Sequence, residues 1–200
     1  PPADARSAEI RAHSLKKDIL LGGMDGRAAD LDSEAPADTR SLHVTLQKTE
    51  GALFALSARV LGAIDDTRLQ SAAHAAGRAY GLTRLLTDLP IALARGHLPL
   101  PRDAISADLM ATLCAGTITP DAQMLLQSLA SDAQNARTMA RKHIAALPAT
   151  QIAAFLPLVM VEPYLRRVLH PEQNPLRDIV DLPPFSRVCR MGWAWWRKRV

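Results

Sequence analysis

Residues 71–101 read SAAHAAGRAYGLTRLLTDLPIALARGHLPLP, and the spacing inside this stretch decides the fold. Leu82, Leu85, Leu86 and Leu89 recur at intervals of three and four, which puts them on one helical stripe rather than on alternate faces of a strand. The preceding turns are thin: His74, Gly77, Ala79 and Gly81 leave room for a second helix to approach closely. Arg84 and Asp88 stand four residues apart and share a helical face, with Arg95 one or two turns further on. Gly96, Pro99 and Pro101 then punctuate the exit and end the helix. A helix that is apolar along one stripe and charged above it can wall a long apolar cavity.

The rest of the composition favours helix packed on helix. The 200 residues are 48% hydrophobic but only 4% aromatic, heavy in Ala and Leu and poor in β-branched runs. That length suits one domain with a sizeable core. Pro1-Pro2, with no Met, reads as a processed or truncated start, and a removed targeting segment would leave no trace in what remains. No run of 18 apolar residues occurs, so no helical bilayer span is expected. Cys114 and Cys189 lie far apart in no ligand-like spacing, and are expected as two buried thiols in a reducing compartment. The net charge of +4 would help contact with an acidic surface, RNA or a complex containing it.

Working outward, residues 3–21 are expected to form a helix on Ile10, Leu15, Ile19 and Leu20, interrupted by Gly22 and Gly23. A second helix over 41–62 should begin at Thr39 or Ser41, bury Leu42, Leu46, Leu53, Leu56, Val60 and Leu61, and stop at Gly62. Asp65 and Asp66 precede the central helix; adjacent carboxylates at a helix start read as cap and dipole partners rather than as a metal site. Asp103 or Ser106 opens a short helix. Thr119-Pro120-Asp121 starts a longer one over 122–147, with Met124, Leu125, Leu129, Ala133, Ala136, Ala140, Ile144 and Leu147 on its apolar side. A helix over 149–169 should kink at Pro157, with a second irregularity at Pro163. After Pro183-Pro184 a last helix alternates Phe185, Val188, Met191, Trp193 and Trp196 with Arg187, Arg190, Arg197, Lys198 and Arg199. Residues 1–200 are therefore expected to form a single all-α body of about six to eight helices, without internal repeats or a linker.

No phosphate loop, dinucleotide fingerprint, HExxH helix or serine elbow occurs, and the six histidines are scattered. The order of weaker fragments is more telling. Gly77-Arg78-Ala79-Tyr80-Gly81-Leu82-Thr83-Arg84, Asp88-Leu89-Pro90-Ile91-Ala92, Arg95-Gly96 and Leu98-Pro99-Leu100-Pro101 follow one another at defined separations. They are flanked by MDGRAADL at 24–31, Glu50-Gly51-Ala52-Leu53, Arg59-Val60-Leu61-Gly62, Pro163-Tyr164-Leu165-Arg166-Arg167 and Trp195-Trp196-Arg197-Lys198. Over nearly its whole length the chain resembles the squalene/phytoene synthase family, the all-helical head-to-head prenyl synthases. The resemblance implies the helical bundle of those enzymes. It also implies that residues 1–200 are the C-terminal two thirds of the full domain, with the first helices missing.

In the enzymes of that family, two aspartate-rich elements hold magnesium ions against a substrate diphosphate. Asp88 matches the first carboxylate of the second element, D-x-x-x-D, but Ala92 takes the place of the second. Gly81 and Arg84 stand where the family has glutamine and asparagine, and Pro99 replaces the tyrosine of its Y-L-P motif. Asp30 matches a pocket-facing aspartate. The resemblance thus implies a degenerate diphosphate pocket of Asp30, Arg84, Asp88 and Arg95, with no catalytic residue, no bound metal and no cofactor. For Asp88 an ion pair with Arg84 or Arg95 is the plain role.

Two functions stand against each other. One is a non-catalytic relative, similar to the mitochondrial complex I assembly factors of this family, working on the matrix side rather than in the cytoplasm and binding protein partners in a larger assembly. The other is a magnesium-dependent prenyl transferase that condenses isoprenyl diphosphates head to head. On the first reading the tail residues Arg187, Arg190, Trp193, Trp196, Arg197 and Lys198 form a docking element, with RNA or ribosomal contact open to the same charges. On a simpler reading the tryptophans close the core of the domain itself.

Overall fold

The computed structural model describes residues 35–200, and the ordered elements among them are all helical. The helix expected over 3–21 and the Asp30 segment lie outside the described residues.

Asp38 caps the first helix, α1 (Thr39–Leu46). Its carboxylate accepts the Ser41 N–H at 2.6 Å while Ser41 Oγ accepts the Asp38 N–H at 3.1 Å, so two otherwise orphaned donors are satisfied reciprocally. The expected caps, Thr39 and Ser41, therefore sit inside the helix. The chain then passes through one wide, π-type turn, Gln47–Gly51, into α2 (Ala52–Val60).

That turn corrects the expected stripe. A π turn adds a residue to the helix and rotates everything after it. Leu42 and Leu46, before the turn, are buried as expected. Beyond it Phe54, Ala55 and Ala58 face the core, whereas Leu53, Val60 and Leu61 are 40–44% exposed. Gly62, at φ 86°, stops the run where a left-handed residue was expected.

Asp66 caps the central helix, α3 (Thr67–Ala94), accepting the Leu69 N–H at 2.8 Å. Leu82, Leu86 and Leu89 are fully buried and Leu85 is half-buried against the same core, so the sequence stripe holds. At roughly 1.5–3 kcal/mol per buried leucine, this stripe is a principal source of stability. The helix continues through Pro90 and ends in a paired closure: the Gly96 N–H reaches Leu93 O and the His97 N–H reaches Ala92 O, both at 2.9 Å. Gly96 supplies the left-handed residue this closure requires, at φ 72°.

Next come α4 (Ala107–Cys114), capped by Ser106, and α5 (Pro120–Ile144), capped by Thr119 with Pro120 in its first turn. α5 buries Leu126, Leu129 and an alanine row against α3, its most extensive neighbour. Met124, placed on the apolar side from sequence, is 63% exposed, and Leu126 takes the inward position. The single helix expected over 149–169 is two: a tight 3₁₀ segment, Ala149–Met160, and α6 (Val161–Val168). Pro157 lies within the tight segment, and Pro163 sits in the first turn of α6, where a missing N–H costs least. The final helix is α7 (Pro184–Arg197). Cys114 and Cys189 are free but exposed, which corrects the expectation of buried thiols.

The small residues of α3 do what their size permits. A Cβ on Gly77 would stand 2.5 Å from Gly51 Cα, so the wide turn and the central helix touch backbone to backbone. Just beyond, Phe54 stacks on Phe155 at 5.6 Å and meets the edge of Tyr80 at 5.9 Å, joining α2 to α3 and the tight segment.

Candidate functional site

The contact of α1 and the wide turn with α3 leaves a cavity of about 460 Å³ beside it. Along α3, Gly81, Arg84, Leu85, Asp88 and Ala92 follow one another at helical spacing and line one wall. Leu42, Thr45, Leu46, Thr49 and Glu50 line the other, and the closure after α3 carries His97 and Pro99 to the rim. The lining is more apolar than polar, and its charged residues are Glu50, Arg84 and Asp88.

Those three form one ion-pair group. Arg84 Nη1 donates to Glu50 Oε1 at 2.7 Å, and Arg84 Nε lies 3.4 Å from Asp88 Oδ2. The Glu50 side chain is 10% exposed and the Asp88 side chain 55%. Glu50 and Arg84 also line a smaller hollow of about 240 Å³ with Phe54 and Tyr80, so the pair forms a shared wall between two spaces. Tyr80 is held above its ordinary pKa, first by burial and then by the negative charge of Glu50.

Of the four pocket residues expected from sequence, Arg84 and Asp88 are brought together. Arg95 is the exposed cap of α3 and does not line the cavity. Asp30 is outside the described residues. Asp88 pairs with Arg84, one of the two partners anticipated for it. Glu50 was missed as a site residue. Its signal was an acid directly before Gly51 in an apolar helix, and only the neighbouring α3 shows why it is tolerated there.

A magnesium centre does not fit this donor set. Oxygen-ligating dications draw on several carboxylates, whereas Asp88 faces a guanidinium and the next turn of the same face presents Ala92. Among the described residues, no three His, Cys, Asp or Glu side chains converge for a metal ion.

A second polar cluster lies across α3. His43 Nε2 stands 2.9 Å from Asp132 Oδ2, and Arg78 donates to the other oxygen of the same carboxylate, tying α1, α3 and α5 together. Near it, Gln47 Nε2 lies 2.8 Å from His74 Nε2, and burial holds the His74 imidazole below its ordinary pKa.

The chain belongs to the squalene/phytoene synthase family, which it matches over residues 1–189. Among curated proteins it is similar to NADH dehydrogenase (ubiquinone) complex I, assembly factor 6, of Rattus norvegicus, 26% identical over 199 residues and 95% of this chain. The chain spans 57% of that protein's length. Among solved structures, squalene synthase HpnC from Alicyclobacillus acidocaldarius superposes with a TM-score of 0.71 at 17% identity, covering 78% of this chain and 60% of that one. A ligand-bound dehydrosqualene synthase gives 0.68 at 15% identity, over 90% and 64% of the two chains. At such identities the likeness to the synthases speaks for the fold alone.

Proposed function

We propose that this protein keeps the synthase body without its chemistry and serves in the assembly of a larger protein complex, as the names of its assembly-factor relatives state for them. The observation that carries this reading is Arg84 standing between Glu50 and Asp88, with Ala92 one turn beyond. A prenyl synthase needs that corner to gather cations around a diphosphate leaving group. In this chain an internal guanidinium already occupies both carboxylates of that corner. By the same relationship the compartment is the mitochondrion, on the matrix side, and the partners are complex I subunits or their intermediates.

Complementation of a strain lacking the protein, with blue-native electrophoresis of its respiratory complexes, tests the reading. Loss of the protein should reduce assembled complex I, and Asp88→Asn should restore it to near the wild-type level. In parallel, farnesyl or geranylgeranyl diphosphate with magnesium should be returned unchanged by the purified protein. Turnover of either diphosphate, or a null phenotype for Asp88→Asn at normal protein level, would overturn the proposal.

A further inference from the structure

The final helix is mounted with its apolar face outward. Ala194 is its buried residue, and Ser186, Arg187 and Met191 share its half-buried side. On the opposite side Phe185, Val188, Trp193, Trp195 and Trp196 are 58–80% exposed. A strongly amphipathic helix of a soluble body normally turns its aromatic side to the core. This one turns it to the outside, and exposed contiguous apolar surface marks a contact site. Trp193 and Trp196 lie 5.2 Å apart and Arg197 stands over Trp193 at 5.5 Å, so the aromatic ridge carries a cation at its edge.

A separate feature adjoins it. The helix ends at Lys198 in the left-handed conformation, φ 51°, a strained setting for a residue other than glycine. The closure is fixed by the Arg199 N–H on Ala194 O at 3.0 Å. It brings Lys198 and Arg199 to the rim of a shallow hollow of about 640 Å³ that α5 lines with Arg141 and Lys142. Among the described residues, four cationic side chains line this hollow and no Asp or Glu does. From Pro184 to Val200 the chain carries no acid at all. Among the described residues, the acid paired with the helix is Asp181, held by Arg187 at 3.4 Å on the side away from the ridge.

From these two observations we infer that α7 is a membrane-surface anchor for an anionic phospholipid bilayer. The tryptophan ridge enters the headgroup–acyl boundary, and the Arg141–Lys142–Lys198–Arg199 hollow takes lipid phosphate. Tryptophan is the side chain best suited to that boundary, and cations beside it supply affinity for anionic headgroups. Among the described residues no helix is long and apolar enough to cross a membrane, so the helix lies on the surface. The inference is independent of the assembly reading and can fail or stand without it.

All three tryptophans of the protein are in this helix, so its intrinsic emission reports on the ridge alone. Titration of the full chain with vesicles of phosphatidylcholine, or of phosphatidylcholine with phosphatidylglycerol or cardiolipin, should shift that emission to the blue only with anionic lipid. Brominated acyl chains should quench it. Lys198→Glu with Arg199→Glu should weaken binding at least tenfold, since each cation near an anionic surface contributes roughly a factor of five. Trp195→Ser with Trp196→Ser should weaken it comparably and leave Trp193 as reporter. Both pairs are exposed, and unchanged far-ultraviolet spectra and melting would verify the fold. Equal binding to neutral vesicles, binding without movement of the emission, or shielding of the tryptophans by RNA or a complex I subunit but not by vesicles would each overturn it.

Discussion

Arg84 of the central helix reaches back to Glu50 in the wide turn at 2.7 Å and holds a carboxylate that is otherwise almost dry. The same guanidinium touches Asp88 at 3.4 Å, where the acid is more than half exposed. The two acids should therefore differ in weight. Glu50→Gln should lower stability by about 1–2 kcal/mol, because it takes the charge from a charge-assisted bond at a buried site. Asp88→Asn should cost about 0–1 kcal/mol, the ordinary worth of an exposed pair. Urea unfolding midpoints of the two variants check the order.

The glycines of the central helix make a second contrast. Gly77→Ala drives a methyl group into the Gly51 backbone, which has no rotamer to yield, and should cost about 3 kcal/mol. Gly81→Ala meets Leu46 Cδ2 at 2.6 Å, the end of a flexible side chain, and should cost no more than about 1 kcal/mol. Thermal melts of both variants would show whether the backbone contact carries that difference.

The pH profile should carry the mark of His74. Burial lowers its pKa from 6.5, so the unfolded chain binds the proton more readily than the folded one. The stability this group contributes is whole above about pH 6.5 and is lost as pH falls through the lower, folded value. Denaturant midpoints between pH 7.5 and 5 should fall less steeply for His74→Gln than for the native protein. An identical slope would remove His74 from the acid sensitivity.

Arg137 of α5 is 15% exposed, and Glu162 of α6 accepts from its Nη1 at 3.0 Å. Burial holds its guanidinium pKa below the ordinary value, and its Nε has no hydrogen-bond partner among the described residues. Glu162→Ala leaves that cation uncompensated and should cost about 2–3 kcal/mol, below the range for a fully buried pair. Arg166 touches the same carboxylate from an exposed position, so Arg166→Ala should cost about 0.5 kcal/mol or less. Calorimetric melts separate the two.

The helices of this protein were legible because their signals are local. Three-and-four spacing marked Leu82, Leu86 and Leu89 as core, Asp66 and Thr119 announced helix starts, and Gly62 and Gly96 announced ends. The order of the fragments around Asp88 and Arg95 carried the family resemblance, since it needs only succession along the chain. Even the adjacency of Arg84 and Asp88 follows from a four-residue interval on one helix.

What the tertiary structure alone decided depends on contacts between distant segments. The wide turn at Gln47–Gly51 lies directly against Gly77, and it moved the buried face of α2 from Leu53 to Phe54. Glu50 became a site residue only because α3 delivers Arg84 to it. The amphipathic pattern of the final helix gave its two faces but not their direction, and docking through Ala194 left the tryptophans outside. Periodicity reports which residues share a face; which way that face turns is set by the competing surfaces it can pack against, and those are known only once the rest of the chain has folded.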